Sequence, residues 1–304
     1  MTKYLLKTYQ EEFIEKQEKV GKEATKSWVA YEQSPADRLR KRYSRSDFDP
    51  EIRHYAFLDD ELIGFQTSEV LSEEVAGKKT ARIGLPLVLP GHEEAIELLF
   101  EKTISTLKNK GVKRVIARAS ERWGYSIPLL NKHGFRYIED LARMFRMEVE
   151  TMDLEEMRES EEIMEFTISD FDATKDLNQL VKIQTENYDM SLKEAKETLD
   201  EIVSQDPARY PIHVVIRDGE KTVAHGAVYE PDDPGVAVIV RTFFADEEKY
   251  FKPFVIGLLD RIKKAKKYSL VVTYLTGKNL PHGEIYGSLG FSEHYTVMNY
   301  EKEI

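Results

Sequence analysis

His213-Val214-Val215-Ile216-Arg217-Asp218, followed after a short gap by Val223-Ala224-His225-Gly226-Ala227, reads as two apolar strands joined by an acidic turn. Apolar runs of that length around a tight turn predict a β-hairpin. The pattern also stands earlier in the chain, as His54-Tyr55-Ala56-Phe57-Leu58-Asp59 and Leu62-Ile63-Gly64-Phe65. Further on, Lys132-His133-Gly134-Phe135 matches Ser288-Leu289-Gly290-Phe291. Hairpin and Gly-Phe corner recur in the same order at similar separations. Such self-similarity predicts two copies of one folding unit.

Working outward, each half opens on amphipathic helical stretches, 10–20 with 35–42 and 174–187 with 192–204. After each hairpin come a strand (80–89; 236–244), a long helix (93–108; 254–266) and another strand (114–119; 269–274). Apolar residues three and four apart mark the helices. A short helix, the Gly-Phe corner and a last strand close each half. Strand–helix–strand implies a right-handed crossover between parallel strands. The hairpins imply antiparallel ones. The expected fold class is α/β, a mixed sheet with helices on both faces. A length of 304 residues suits two domains. We place them at 1–150 and 166–304, with an acidic connector at 151–165. The connector has neither glycine nor proline, which predicts a helix rather than a flexible linker.

Composition narrows the functional classes. The chain is 41% hydrophobic and 33% charged, as in globular proteins. No run approaches the roughly 18 apolar residues of a membrane span, and no signal peptide is visible, so a cytoplasmic location is expected. There is no cysteine, which excludes disulfides, thiolate ligands and a cysteine nucleophile. A net charge of −11 argues against nucleic-acid partners. The seven histidines have no metal-binding spacing, so no metal is expected. One basic run, Arg38-Leu39-Arg40-Lys41-Arg42-Tyr43-Ser44-Arg45, reads as a solvated helix end paired with local carboxylates.

The sharpest local pattern is Asn279-Leu280-Pro281-His282-Gly283-Glu284-Ile285-Tyr286-Gly287-Ser288-Leu289-Gly290-Phe291. An asparagine, a tyrosine seven residues on and a Gly-Phe four residues later resemble the pattern of GNAT proteins, the acetyl-CoA-dependent N-acetyltransferases. The element order resembles their fold too, twice, over nearly the whole chain. The tandem arrangement is similar to mycothiol synthase-like proteins. The resemblance implies that Tyr286 protonates the departing thiolate. It also implies that Asn279 and the strand end Phe243-Phe244-Ala245 border the cosubstrate, and that the acceptor is a small-molecule or peptide amine. Positioned proton transfer contributes about 10²–10⁴ in rate. Glu230, at the end of the hairpin, and His225 are the candidate bases. In the first half Trp123 and Leu130 stand where Asn and Tyr are expected, and Tyr125 is out of register. That half reads as catalytically degenerate.

The family's phosphate loop, Arg/Gln-x-x-Gly-x-Gly/Ala, lets backbone N–H groups approach pyrophosphate at a helix N-terminus. Here Tyr250, Pro253 and Val255 occupy those three positions, with Lys249 and Lys252 as the positive charges and Asp246, Glu247 and Glu248 opposing them. The first half offers Leu89-Pro90-Gly91-His92-Glu93-Glu94, which is no better. Arg241, inside an apolar strand, needs solvent, a partner or a ligand. The leading expectation is acetyl transfer from acetyl-CoA to an amine, in the second half. The alternative is a non-catalytic tandem module that binds a metabolite or protein. A third reading, an aminoacyl-tRNA-using transferase, meets the opposing acidic balance.

Overall fold

Both hairpins form. The computed structural model describes residues 3–304 other than 32, 76, 160–166, 189, 204–207 and 232, and only the backbone of 159, 201–203, 241 and 242. The described chain divides into two compact units, Met1–Leu141 with Tyr295–Ile304, and Ala142–His294.

The first unit opens with β1 (Leu5–Thr8), α1 (Ile14–Ala24), α2 (Ala36–Tyr43), β2 (His54–Leu58) and β3 (Glu61–Gln66). It continues with β4 (Ser68–Val70), β5 (Thr80–Ile83), β6 (Leu87–Val88), α3 (Glu94–Asn109), β7 (Arg114–Ala119), α4 (Ser126–Lys132) and the long β8 (Arg136–Glu148). Strands β1, β2, β3 and β6 pair antiparallel, while β5 lies antiparallel to β4 and parallel to β7. The single strand expected at 80–89 is therefore two strands. Pro86 has no N–H for a ladder, and the Gly84 amide donates sideways to the Thr67 carbonyl at 2.8 Å. The break moves the chain from β4 and β7 across to β3.

The second unit holds α5 (Leu154–Glu159), β9 (Thr167–Asp170), α6 (Ala173–Asn187), α7 (Leu192–Val203), β10 (Ile212–Asp218), β11 (Lys221–Tyr229) and β12 (Val236–Phe244). Then come α8 (Glu247–Ala265), β13 (Leu270–Thr276), α9 (Gly283–Ser288) and β14 (Ser292–Glu303). Strands β9 to β12 form an antiparallel meander, and β12 runs parallel to β13. The next partner of β13 is the end of β8, from Leu270↔Glu148 to Thr276↔Ala142. Conversely, the end of β14 pairs with β7, from Met298↔Ala119 to Glu303↔Arg114. The sequence reading assigned 1–150 and 166–304 to separate domains. The pairings give 142–148 to the second unit and 295–304 to the first. The first part of the connector is helical, as α5, and residues 160–165 lie outside the described residues.

Hydrophobic periodicity explains the cores. On α8, Phe254, Leu258, Leu259 and Ile262 recur at helical spacing and are fully buried. Neighbouring side chains on a strand point to opposite faces. Phe244 accordingly joins the core under α8, and Phe243 packs with Leu180, Leu199 and the other apolar residues of α6 and α7. Helices thus cover both faces of this sheet, as the fold class requires.

In the first unit His54 is buried, with hydrogen bonds between its ring nitrogens and the hydroxyls of Thr103 (3.0 Å) and Thr106 (3.2 Å). Burial, aided by Lys102, pushes its pKa down to about 4. The neutral ring is the folded form. Stability is therefore complete above the unfolded value of about 6.5 and falls as the pH drops from there towards 4. Urea titrations across that window should show a slope approaching about 1.4 kcal/mol per pH unit from this group. His54→Gln should remove that component. An unchanged slope in the variant contradicts the assignment.

Candidate active site

A parallel strand pair that comes apart makes a slot lined by backbone, and β12 does this. Its pairing with β13 runs from Val236↔Leu270 to Ile239↔Thr273. Against β11, Val240 faces Ala227 and Phe243 faces His225, three steps on β12 for two on β11. The extra residue is a bulge, which bends and twists the strand that carries it. Beyond Thr273, β13 stays with β8, while β12 stays with β11. The two strands fork there.

Tyr286, on α9, meets the fork at its base. Thr273, at the last rung of the β12–β13 pairing, is close enough to the hydroxyl to pull the phenol's pKa slightly down against the larger effect of burial. Tyr286 is 2% exposed. Its ring packs against Phe291 at 5.0 Å, Phe251 at 5.6 Å and Phe145 at 6.3 Å. Burial pushes the phenol up to about 12, so it holds its proton at neutral pH. Asn279 lies half-buried in the turn before α9.

The remaining sequence-derived positions surround α8. The sequence suggested a loop to Pro253 and a helix from Phe254. The helix starts seven residues sooner, at Glu247, with Asp246 as its cap: the Lys249 amide donates to the Asp246 carboxylate at 3.1 Å. Acidic Glu247 and Glu248 in the first turn favour that start through the helix dipole, and Pro253 is carried inside the helix. The phosphate-loop frame of Tyr250, Pro253 and Val255 is thereby already helical. Lys249 Nζ and the Tyr250 hydroxyl both donate to Asp218, at 3.3 and 3.0 Å. Lys252 is half-buried on the same helix. At the strand end, the Phe244 amide donates to the Tyr188 hydroxyl (3.0 Å), and Asn187 donates to the carbonyls of Phe244 (3.1 Å) and Ala245 (2.5 Å). His282 joins α8 to the turn before α9: its ring stacks on Phe251 at 4.4 Å, and its Nε2 lies 3.2 Å from Glu247.

Glu230 is elsewhere. It accepts from the Tyr268 hydroxyl and pairs with Lys267, which together hold its carboxyl below the usual range. It follows Tyr229↔Val238, one rung before the fork's base at Ile239, and the fork opens away from it, towards the Ala224↔Phe244 end of the same pair of strands. His225 is fully buried on β11, its ring 5.8 Å from His213 and 6.3 Å from Phe243. The Arg241 side chain lies outside the described residues.

The first unit forks too, where β5 leaves β7 after Ile83↔Ala117. Tyr125, out of register in the sequence, sits there and donates to the Pro86 carbonyl. Trp123, 4.7 Å from Tyr31 and stacked on Trp28, packs beside it. Before α3, the Gly91 amide donates to the Glu93 carboxylate at 2.9 Å, which puts an anion of the protein's own where a phosphate would lie. The signal for Tyr125 was its place at the start of the short helix; the count back from Gly134 hid it.

Among the described residues, no group of three or more His, Asp or Glu could hold a metal, and no helix is long and apolar enough to cross a membrane. Two forked units built from these elements define the GNAT fold, here in tandem. Over its whole length the chain is similar to a GCN5-related N-acetyltransferase from Sphaerobacter thermophilus (TM-score 0.60, 11% identity, 96% of that chain covered). Similar to 99% of it is a tandem GNAT protein from the clavulanic acid biosynthesis pathway (TM-score 0.59, 12% identity, 98% of that chain covered). A GNAT-family acetyltransferase from Colwellia psychrerythraea matches 98% of it (TM-score 0.58, 12% identity, 99% of that chain covered). No family model and no curated protein sequence matches the chain.

Proposed function

We propose that this protein is an N-acetyltransferase that moves acetyl from acetyl-CoA to an amine of a small molecule or peptide, with the reaction in the second unit. The observation that carries this reading is the fork: β12 bulges and leaves β13 at the rung where the Tyr286 hydroxyl meets Thr273. A slot of unpaired backbone suits a thioester carbonyl, and a protonated phenol beside it suits a leaving thiolate. In such a transfer the amine nitrogen bonds to the acyl carbon, the carbon–sulfur bond breaks, and the thiolate takes a proton. We assign that proton to Tyr286. Glu230, held by Lys267 and Tyr268, we assign to structure rather than to proton transfer.

The slot and the phenol fit the donor, but the phosphate end does not fit as it stands. Asp246 caps its own helix, Asp218 occupies Lys249 and Tyr250, and His282 closes on Phe251 and Glu247. Donor binding therefore has to release Lys249 from Asp218. Solvent-exposed ion pairs of this kind are weak. Asp218→Asn should thus lower KM for acetyl-CoA about three- to fivefold with kcat unchanged, read by thiol release under steady-state conditions. A raised KM contradicts that account of the phosphate end.

These self-made contacts also favour a second reading, a non-catalytic module with the GNAT fold. Calorimetry decides between the two. The first reading expects acetyl-CoA to bind the intact protein and amine-dependent thiol release to follow. Absence of heat at millimolar acetyl-CoA, with no turnover over a panel of amines, leaves the second.

A further inference from the structure

A buried guanidinium without a counter-ion is costly, and the first unit contains one among its described residues. Arg53, just before β2, is 8% exposed. It stacks over the rings of Tyr43 at 4.7 Å and Phe48 at 4.9 Å, and its Nε has no hydrogen-bond partner. Stacking suits a guanidinium, but it leaves the Nε donor unmet. An unpaired charge at such a site is strongly destabilising unless an anion arrives.

Arg53 borders a cavity of about 620 Å³, within the range of small-molecule sites. Arg42, Arg45, Arg82 and Arg118 line the same cavity, against a single carboxylate of its lining, Glu69. Arg45 is paired with Asp47. Arg118 has its pKa lowered, first by burial and then by the neighbouring charge of Arg82, the mark of cations gathered without compensation. A second cavity of about 370 Å³ shares Arg42, Arg45, Arg53 and Glu69 and adds Lys79 and Lys110, with Asp47 and Asp49 as further carboxylates. Lys110 is already held by Asp49 and Glu51. The walls are not purely polar: Tyr31 and Trp123 line the larger space.

We propose that this cavity is a binding site for a small organic polyanion, a molecule with two or more carboxylate or phosphate groups and a flat or apolar part. Guanidinium forks bind both kinds of oxyanion bidentately, and the aromatic wall selects an organic ligand over a bare ion. The basic run of α2 thus splits by role. Arg40 pairs with Glu15 and Asp37, as a solvated helix end does, while Arg42 and the Asp47-paired Arg45 line the cavity. The site stands in the first unit and is independent of acetyl transfer in the second.

The test is calorimetric titration of the full chain with citrate and, in a separate arm, with pyrophosphate, at low and high salt. We expect binding of at least one, with the arm that binds tighter identifying carboxylate or phosphate as the group read. Arg118→Gln, on the exposed side of the cavity, should weaken it tenfold or more. Arg53→Gln should abolish it. Because Arg53 is packed, that variant is accompanied by a thermal melt, and Arg118→Gln decides the matter if it unfolds. Arg40→Gln, removing the same charge outside the cavity, should leave affinity within twofold. Absence of binding of either anion at millimolar concentration overturns the proposal. So does an equal loss in Arg40→Gln and Arg118→Gln, which would mean general attraction rather than a site.

Discussion

Tyr286→Phe lowers kcat for acetyl transfer by about 10²–10⁴ while KM for acetyl-CoA changes little. The reasoning is local. The ring is held by Phe145, Phe251 and Phe291, and phenylalanine keeps all three contacts. Only the hydroxyl beside Thr273 is lost. Deleting one hydroxyl from a ring whose packing is kept costs at most about 1 kcal/mol, too little to unfold the unit. A rate loss with an intact melt therefore reports on proton transfer. The pH profile supplies a second readout. A phenol pushed to about 12 stays protonated through the neutral range, so the wild-type rate shows no fall attributable to it below about pH 10. Retention of full kcat in the variant removes Tyr286 from the chemistry.

Asp176→Ala destabilises the second unit by about 3–5 kcal/mol, the largest single stability effect we expect. Asp176 is fully buried on α6. Arg217 on β10 meets it with Nη2 at 2.7 Å from one oxygen and 2.9 Å from the other, the Thr222 hydroxyl donates at 2.6 Å, and the Asp172 amide donates at 2.7 Å. One carboxylate thus ties the first turn of α6 to both strands of the β10–β11 hairpin. Without it, Arg217 is left largely buried and unpaired. Urea denaturation measures the loss, and a change under about 1 kcal/mol contradicts a structural role for this cluster.

The architecture was readable where local pattern and final partner agree. The hairpins, β7 at Arg114–Ala119 and β12 at Val236–Phe244 stand where the alternation placed them. The misread points have separate physical reasons. Pro253 suggested a helix start, but the capping carboxylate of Asp246 and the acidic first turn set it earlier. Pro86 and Gly84 interrupted a strand whose hydrophobicity ran through both. The partners of β8 and β14 are fixed by pairing over long chain separations, and no local pattern announces that. At the candidate site, Tyr286 was singled out by the GNAT resemblance, and its neighbours Phe251, His282 and Thr273 were not, because they meet only once α8, α9 and β13 are assembled. Arg53 was equally silent: one arginine before a strand gives no sign that it is buried without a carboxylate.

The second unit's fork is the central claim, and a crystal structure grown with acetyl-CoA tests it most directly. The account predicts density for the thioester between β12 and β13 beyond Ile239 and Thr273, with its sulfur beside the Tyr286 hydroxyl and His282 moved off Glu247. Density confined to the first unit, or a second unit still closed by His282 on Phe251 at saturating acetyl-CoA, contradicts it.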